Sequence, residues 1–170
     1  MVGALQRVLD TVNAVLAVLS AVAVGAAGCV LTWEVVGRYF LGIPSDWQDE
    51  LSVFLLVGAT FGSAAWIQAR RGHVAIDAVA AVLPERVEAW RRSLADAASL
   101  AFCTFFAWKS WTLLHEAWVD GQTTPSAWGP PLWIPYGCMA VGMTLLSAQL
   151  LLQLLAGSPP RPPLAPEEAL

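Results

Sequence analysis

Four long intervals of this sequence carry almost no charge, and they decide what kind of fold is available. The first lies between Asp10 and Glu34 and the second between Glu50 and Arg70. The third runs from Asp96 to about His115, broken by Lys109, and the fourth lies between Asp120 and Arg161. Each is near or above the ~20 residues needed to cross ~30 Å of hydrocarbon at 1.5 Å per residue. Of the 170 residues, 57% are hydrophobic and 13% charged, with a mean hydropathy of +0.60; soluble domains carry about 25% charged residues. A soluble fold of this length could not bury so much apolar surface. The pattern predicts an all-α integral membrane protein with four transmembrane helices, at about 11–36, 47–69, 94–116 and 132–156. These form a single domain over residues 1–156, with a short interfacial helix on one side.

The N-terminal segment reads as an uncleaved helix and not as a signal peptide. Asp10 disrupts the basic lead-in, and the apolar run continues past Cys29 to Val36, longer than the 7–15 residues of a signal core. Orientation follows from arginine in the short loops. Arg70, Arg71, Arg86, Arg91 and Arg92 fall between spans two and three, whereas residues 116–128 contain no arginine or lysine. Arg7 and Arg161 flank the two ends. Both termini and the 70–95 segment are therefore expected in the cytoplasm, in a multi-pass membrane protein. Trp33, Trp47, Trp111, Trp118, Trp128 and Trp133 gather at the presumed outer boundary, and Trp66 and Trp90 mark the inner one, as interfacial belts do.

The sequence also excludes several chemistries. A net charge of −4 offers no basic stripe for nucleic acid. Cys29, Cys103 and Cys138 are odd in number and scattered through apolar segments, which suits packing better than disulfides or metal. His73 and Asp77 stand four apart but have no second histidine or cysteine beside them, and His115 belongs to the opposite side of the membrane. No catalytic residue, cofactor or metal site is expected.

The candidate contact residues lie elsewhere. Ser45-Asp46-Trp47-Gln48 has the form of a capping box, and Asp49 and Glu50 suit the first turns of the second helix. Glu34 and Arg38 form an i, i+4 pair across the loop from Glu50. This charged edge reads either as a well-capped helix start or as a docking point for an external partner. Lys109 stands inside a span, where a charge costs about 2.5–3.5 kcal/mol at the bilayer centre. It is expected to snorkel outward and pair with Glu34 or Glu116, with a role in ion transport as the alternative. Small residues recur at helical spacing: Ala17, Ala21, Gly25, Gly28 and Thr32; Gly58, Gly62, Ala65 and Ala69; Gly137, Ala140, Thr144 and Ser147. Such stripes let helices approach closely in lipid, either within this chain or against another membrane protein. Residues 73–83 suit an interfacial helix closed by Pro84, and the proline-rich 157–170 suits a disordered cytoplasmic tail.

With these features in place, the sequence resembles the small, DctQ-type membrane subunit of tripartite ATP-independent periplasmic (TRAP) transporters. The resemblance rests on EVVGRYF (34–40), WQDEL (47–51), FGSAAWIQARRGHVAID (61–77) and WIPYGCMAVGM (133–143), and it covers most of residues 8–155. Two departures concern the outer loop: Leu41-Gly42 stands where the family often has asparagine, and Asp49-Glu50 replaces a pair of glutamates. The resemblance implies a non-catalytic subunit that packs beside a large TRAP permease subunit and enlarges its static scaffold. The permease carries an organic acid or similar solute together with sodium by an elevator-like motion, and a periplasmic solute-binding protein delivers the solute. Subunit or docking contacts are then expected among Glu34, Arg38, Tyr39, Trp47, Asp49, Glu50, Gly58, Gly62, Arg71, His73 and Asp77, with membrane lipid as a further partner. The competing readings are a self-sufficient homo-oligomeric four-helix transporter and a membrane enzyme. Each requires polar groups gathered deep within the spans, where the charge pattern offers only Lys109.

Overall fold

In a computed structural model, residues 2–42, 47–70 and 85–156 are described; Ser45, Asp46, Arg71, His73, Asp77, the expected interfacial helix at 73–83 and the tail at 157–170 lie outside them. The described residues form four long helices, α1 (Val2–Val36), α2 (Trp47–Ala69), α3 (Glu85–Val119) and α4 (Trp133–Ala156). A short π-helical turn, Gly37–Leu41, prolongs α1, and Gly42 ends it in the left-handed region at φ 61°, with its N–H bonded to the Gly37 carbonyl. An isolated β-bridge pairs Thr123 with Pro131.

Three of these helices are long and apolar enough to cross a membrane: Arg7–Leu41, Trp47–Ala69 and Trp133–Leu155. By length and apolar character, three of the four expected spans are thus supported among the described residues. Helix α3 has ample length, about 52 Å at 1.5 Å per residue, but Asp96, Lys109, Ser110, Thr112 and its tryptophans dilute its apolar character. It also begins at Glu85, well before position 94. Helix α1 starts earlier than expected and, with the π-turn, runs five residues past Val36.

The helices form an open row in the order α1, α2, α4, α3. Contacts set the directions. A Cβ on Gly62 would meet Ser20 and the Leu16 carbonyl, so α1 and α2 run antiparallel with their middles in contact. Gly137 faces Leu114, while Trp111 Nε1 donates to Thr144 Oγ1 at 3.1 Å, so α3 and α4 are also antiparallel. Between the two hairpins, Gly58 faces Cys138, Phe61 lies against Gly142 and Gln68 bonds Gln153, which makes α2 and α4 parallel neighbours. The start of α1, the end of α2, the start of α3 and the end of α4 therefore share one end of the row, hereafter the inner end. The 120–132 connection at the other end is held by its own ladder, with Thr124 N donating to Pro130 O at 3.0 Å and Leu132 N to Gln122 O at 2.9 Å.

The apolar core lies between α4 and its neighbours. Cys103 and Ala107 of α3 meet Met143 and Leu150 of α4, with Phe61, Leu100, Met139 and Leu146 packed around them. The tightest approach is at Gly142, where an added Cβ would fall 2.7 Å from both the carbonyl carbon and the Cβ of Phe61 and closer still to its carbonyl oxygen. Backbone cannot swing aside as a side-chain tip can. Gly142→Ala is therefore expected to destabilise the α2–α4 seam by about 1–3 kcal/mol or more, whereas Gly58→Ala, whose Cβ would sit 3.7 Å from Cys138 Sγ, should be nearly neutral. Thermal unfolding of the two variants in mild detergent distinguishes these outcomes.

Candidate functional site

The charged edge lies at the outer end of the α1–α2 hairpin. Glu34 is 7% exposed, although its partner Arg38 is 61% exposed. The i, i+4 pair thus joins a buried carboxylate to a guanidinium that faces outward, and Arg38 also reaches Asp49 on α2 at 4.0 Å. The pair is half-buried, and through Asp49 it ties α1 to the first turn of α2. Glu34 stands fourteen residues beyond Ser20, and Gln48 stands fourteen before Gly62, so the register of the hairpin puts Glu34 level with Gln48. Gln48 and Ser52, one turn apart on α2, are both buried. Gln48 Oε1, Ser52 Oγ and Glu50 Oε2 have no hydrogen-bond partner within the chain.

Around this polar knot the surface is aromatic. Tyr39 is 83% exposed, and Tyr39 and Phe40 meet edge to face, with ring centroids 5.3 Å apart. Trp47 makes a similar contact with Trp128 of the 120–132 connection at 6.5 Å, and Trp118 with Trp133 at 5.1 Å. Glu34, Arg38, Tyr39, Trp47, Asp49 and Glu50 are thus brought to one end of the row.

Gly58 and Gly62, by contrast, are used inside the chain, the first against α4 and the second against α1. Gly25 and Gly28 have nothing within 4 Å of a built Cβ. They line an open groove of 480 Å³ on the outer half of α1, together with Cys29, Thr32, Trp33 and Val36. The small-residue stripes therefore divide, one part sealing the chain's own helices and the other facing outward. Lys109 lies over the ring of Trp108, 4.9 Å from its centroid, while Glu34 is engaged by Arg38. The Trp111–Thr144 bond puts Lys109 level with the middle of α4, on the exposed side of an edge helix. At the inner end, Arg70 stacks on Trp66 at 4.4 Å.

The charge-based reading missed a set of neutral amides. Asn13 of α1 is fully buried and donates through Nδ2 to Gln149 Oε1 of α4 at 3.4 Å. Gln68 of α2 donates to Gln153 Oε1 of α4 at 2.9 Å, and Gln153 returns a bond to the Gln68 carbonyl, also at 2.9 Å. These amides tie three helices together at the inner end. Their signal in the sequence is an Asn or Gln within an otherwise apolar run, visible only when uncharged polar residues are scored with charged ones. Among the described residues no three His, Cys, Asp or Glu side chains group as a metal ion would require.

A family model described as "Tripartite ATP-independent periplasmic transporters, DctQ component" matches residues 27–158. No curated protein matches the chain. The matched stretch takes in the polar knot, the outer half of α1 and all of α2, α3 and α4.

Single and paired substitutions at the amides separate a structural bond from a passive one. Gln149→Leu should destabilise the chain by about 1–2 kcal/mol, because Asn13 loses its partner in a dry interior. Adding Asn13→Leu should restore much of that loss. A double-mutant cycle of denaturation midpoints in detergent measures the coupling; simple additivity would remove the bond from the account.

Proposed function

The chain belongs to the DctQ component family of the tripartite ATP-independent periplasmic transporters, and from that membership we propose that it is a non-catalytic scaffold subunit of such a system. In this reading it spans a bacterial inner membrane four times with both termini in the cytoplasm. It widens the static part of a large permease subunit, which itself carries an organic acid or similar solute with a coupling ion. The outer aromatic edge around Tyr39, Trp47 and the Arg38–Asp49 contact helps seat the periplasmic solute-binding protein, and Arg71, His73 and Asp77 serve the cytoplasmic side.

The observation that carries the reading is the open row. Helices α1 and α3 each pack along one neighbour, and their free sides are apolar: Val15, Val22, Val35, Phe102, Phe105 and Trp108 are all exposed. A self-sufficient carrier builds its site at the middle of the membrane from unwound helices and their polar termini. Here the helices run unbroken through mid-depth, where the Trp111–Thr144 bond joins α3 to α4; the other polar contacts between helices are amides near one end and the Arg38–Asp49 contact at the other. A row with two unmatched edges supports an adjunct to a larger body.

The crossing of α3 is part of the proposal. It lies along α4 for most of its length, and α4 is apolar enough to span. A helix packed antiparallel against a spanning helix, and joined to it by the short 120–132 connection, occupies the same depth. Lys109 then lies near mid-depth, held on the ring of Trp108.

Affinity purification of the full chain from native membranes, with mass spectrometry of what stays bound, tests the scaffold reading. Stoichiometric recovery of a much larger polytopic protein is expected, and recovery of the chain alone as a defined oligomer would overturn it. Topology has its own test. In a cysteine-free background, a cysteine at Ala127 should react with a membrane-impermeant maleimide in intact cells, and one at Ser93 only after permeabilisation. Equal reactivity at both positions would show that α3 does not cross.

A further inference from the structure

We propose that Lys109 forms an ion pair, near the middle of the membrane, with an aspartate or glutamate on a transmembrane helix of a partner protein. Its depth follows from α4. Trp111 Nε1 donates to Thr144 Oγ1 at 3.1 Å, and Thr144 lies eleven residues beyond Trp133 and twelve before Ala156. Either end of α4 is therefore about 16–18 Å away at 1.5 Å per residue. Lys109 precedes Trp111 by two residues on α3 and shares this level. The four-carbon stem of a lysine reaches roughly 6 Å, too little to carry the ammonium to either boundary.

The chain itself does not neutralise this charge. Among the described residues no carboxylate comes within 4.0 Å of Lys109. Glu34 stands on α1, at the far edge of the row, and is taken by Arg38. Glu116 and Asp96 are seven and thirteen residues away on α3, about 10 and 20 Å along the axis. The Trp108 ring, 4.9 Å from Nζ, attracts the ammonium through its quadrupole but supplies no counter-charge. Cys103 and Ala107 are buried against α4, whereas Phe105, Trp108 and Lys109 are exposed on an edge that no other described helix covers.

Charge selects the occupant of that edge. Hydrocarbon tails offer neither an anion nor a hydrogen bond, and ionisable side chains within spans face protein and pair there. A second copy of the chain does not match, because its described carboxylates all fall toward one boundary or the other. The partner is therefore a different membrane protein with an acid at mid-depth. The rings of Phe105 and Trp108 keep its backbone at a distance, and the lysine stem spans the gap. Such a pair is a side-chain latch that sets depth and partner choice, not a close packing of helices. The inference rests on α3 crossing the membrane and on the chain serving as a subunit of a larger assembly.

The test purifies the full chain from native membranes as wild type, Lys109→Arg and Lys109→Met, and measures the polytopic partner that stays bound. Lys109→Arg should keep the partner. Lys109→Met should lose it by about tenfold or more, because the partner's carboxylate is left buried and alone. The isolated chain should not follow: in mild detergent Lys109→Met is expected to unfold no earlier than wild type, since no ion pair within the chain is lost. The carboxylate is identified with dicyclohexylcarbodiimide, which enters hydrocarbon and activates buried acids. Lys109 Nζ should displace the urea and form an amide, found by mass spectrometry as a cross-link from Lys109 to an aspartate or glutamate of the partner. Full recovery of the partner with Lys109→Met would overturn the proposal. So would a loss of partner that merely tracks a lower unfolding temperature, or a wild-type complex that gives no such cross-link. If Lys109→Met does not accumulate, the wild-type cross-link decides alone. The two premises fail differently: wild type recovered without a partner removes the scaffold reading, and equal maleimide reactivity at positions 93 and 127 removes the crossing of α3. Either result takes the pair with it.

Discussion

The near-contact of the α2 and α4 backbones at Phe61 and Gly142 is the constraint on which the rest of the arrangement depends. Each hairpin could form alone, because consecutive antiparallel helices need only a short connection. Joining the hairpins side by side requires two parallel helices with no direct link to meet along their length. Lipid supplies no hydrophobic drive for that meeting, so it has to come from close packing and polar bonds. Gly142 lets the backbones touch, and Ala140, which has no exposed surface, sits one half-turn away. The Gln68–Gln153 pair then fixes the register at the inner end. Once α2 and α4 are locked, α1 can pack only on the far side of α2 and α3 on the far side of α4. An open row follows from that choice.

Polar groups inside the row obey the same logic. In a medium without water each amide or carboxylate must find a partner or cost several kcal/mol. The inner amides largely satisfy one another. The outer set does so less completely: Glu34 has Arg38, but Gln48, Ser52 and Glu50 each retain an unpartnered oxygen. Buried groups left short of partners concentrate at the end that the proposed function assigns to the binding protein. The two ends differ in degree: the inner amides leave Asn13 Oδ1 without a partner, and the outer end leaves three such oxygens.

Much of this was legible in the sequence, for identifiable reasons. Charge is so costly in hydrocarbon that its absence outlines helices directly, and α1, α2 and α4 appear where the gaps between Asp10, Glu34, Glu50 and Arg70 and the run after Trp133 place them. The Glu34–Arg38 pair was visible from spacing, because i, i+4 neighbours meet on any helix. Its burial was not, since that depends on how α2 lies across α1. Gly58 and Gly62 were marked as contact residues, but helical spacing does not say which neighbour a face meets; one turns to α4 and the other to α1. Gly142 lay outside the Gly137–Ala140–Thr144 stripe and was passed over for the same reason. Asn13, Gln149 and Gln153 escaped because a scan for charge is blind to neutral amides. Helix α3 was recognised as an element, yet its tryptophans and Lys109 leave it the least apolar of the four.

The free edges of the row differ in a way that bears on assembly. The outer half of α1 presents Gly25, Gly28, Cys29 and Thr32, a shallow surface on which another helix backbone can come close. Helix α3 presents large aromatic rings instead, with Phe102 and Phe105 more than half exposed and Trp108 carrying Lys109 on its face. Rings of that size hold a neighbour at a distance and suit lipid or an irregular aromatic surface. In the scaffold reading, a rigid contact with a larger body therefore fits α1 better than α3. The angle of α1 would then matter most, and the Gly62–Ser20 approach, the Asn13–Gln149 bond and the Arg38–Asp49 contact all bear on it, at the middle, inner end and outer end of the helix in turn.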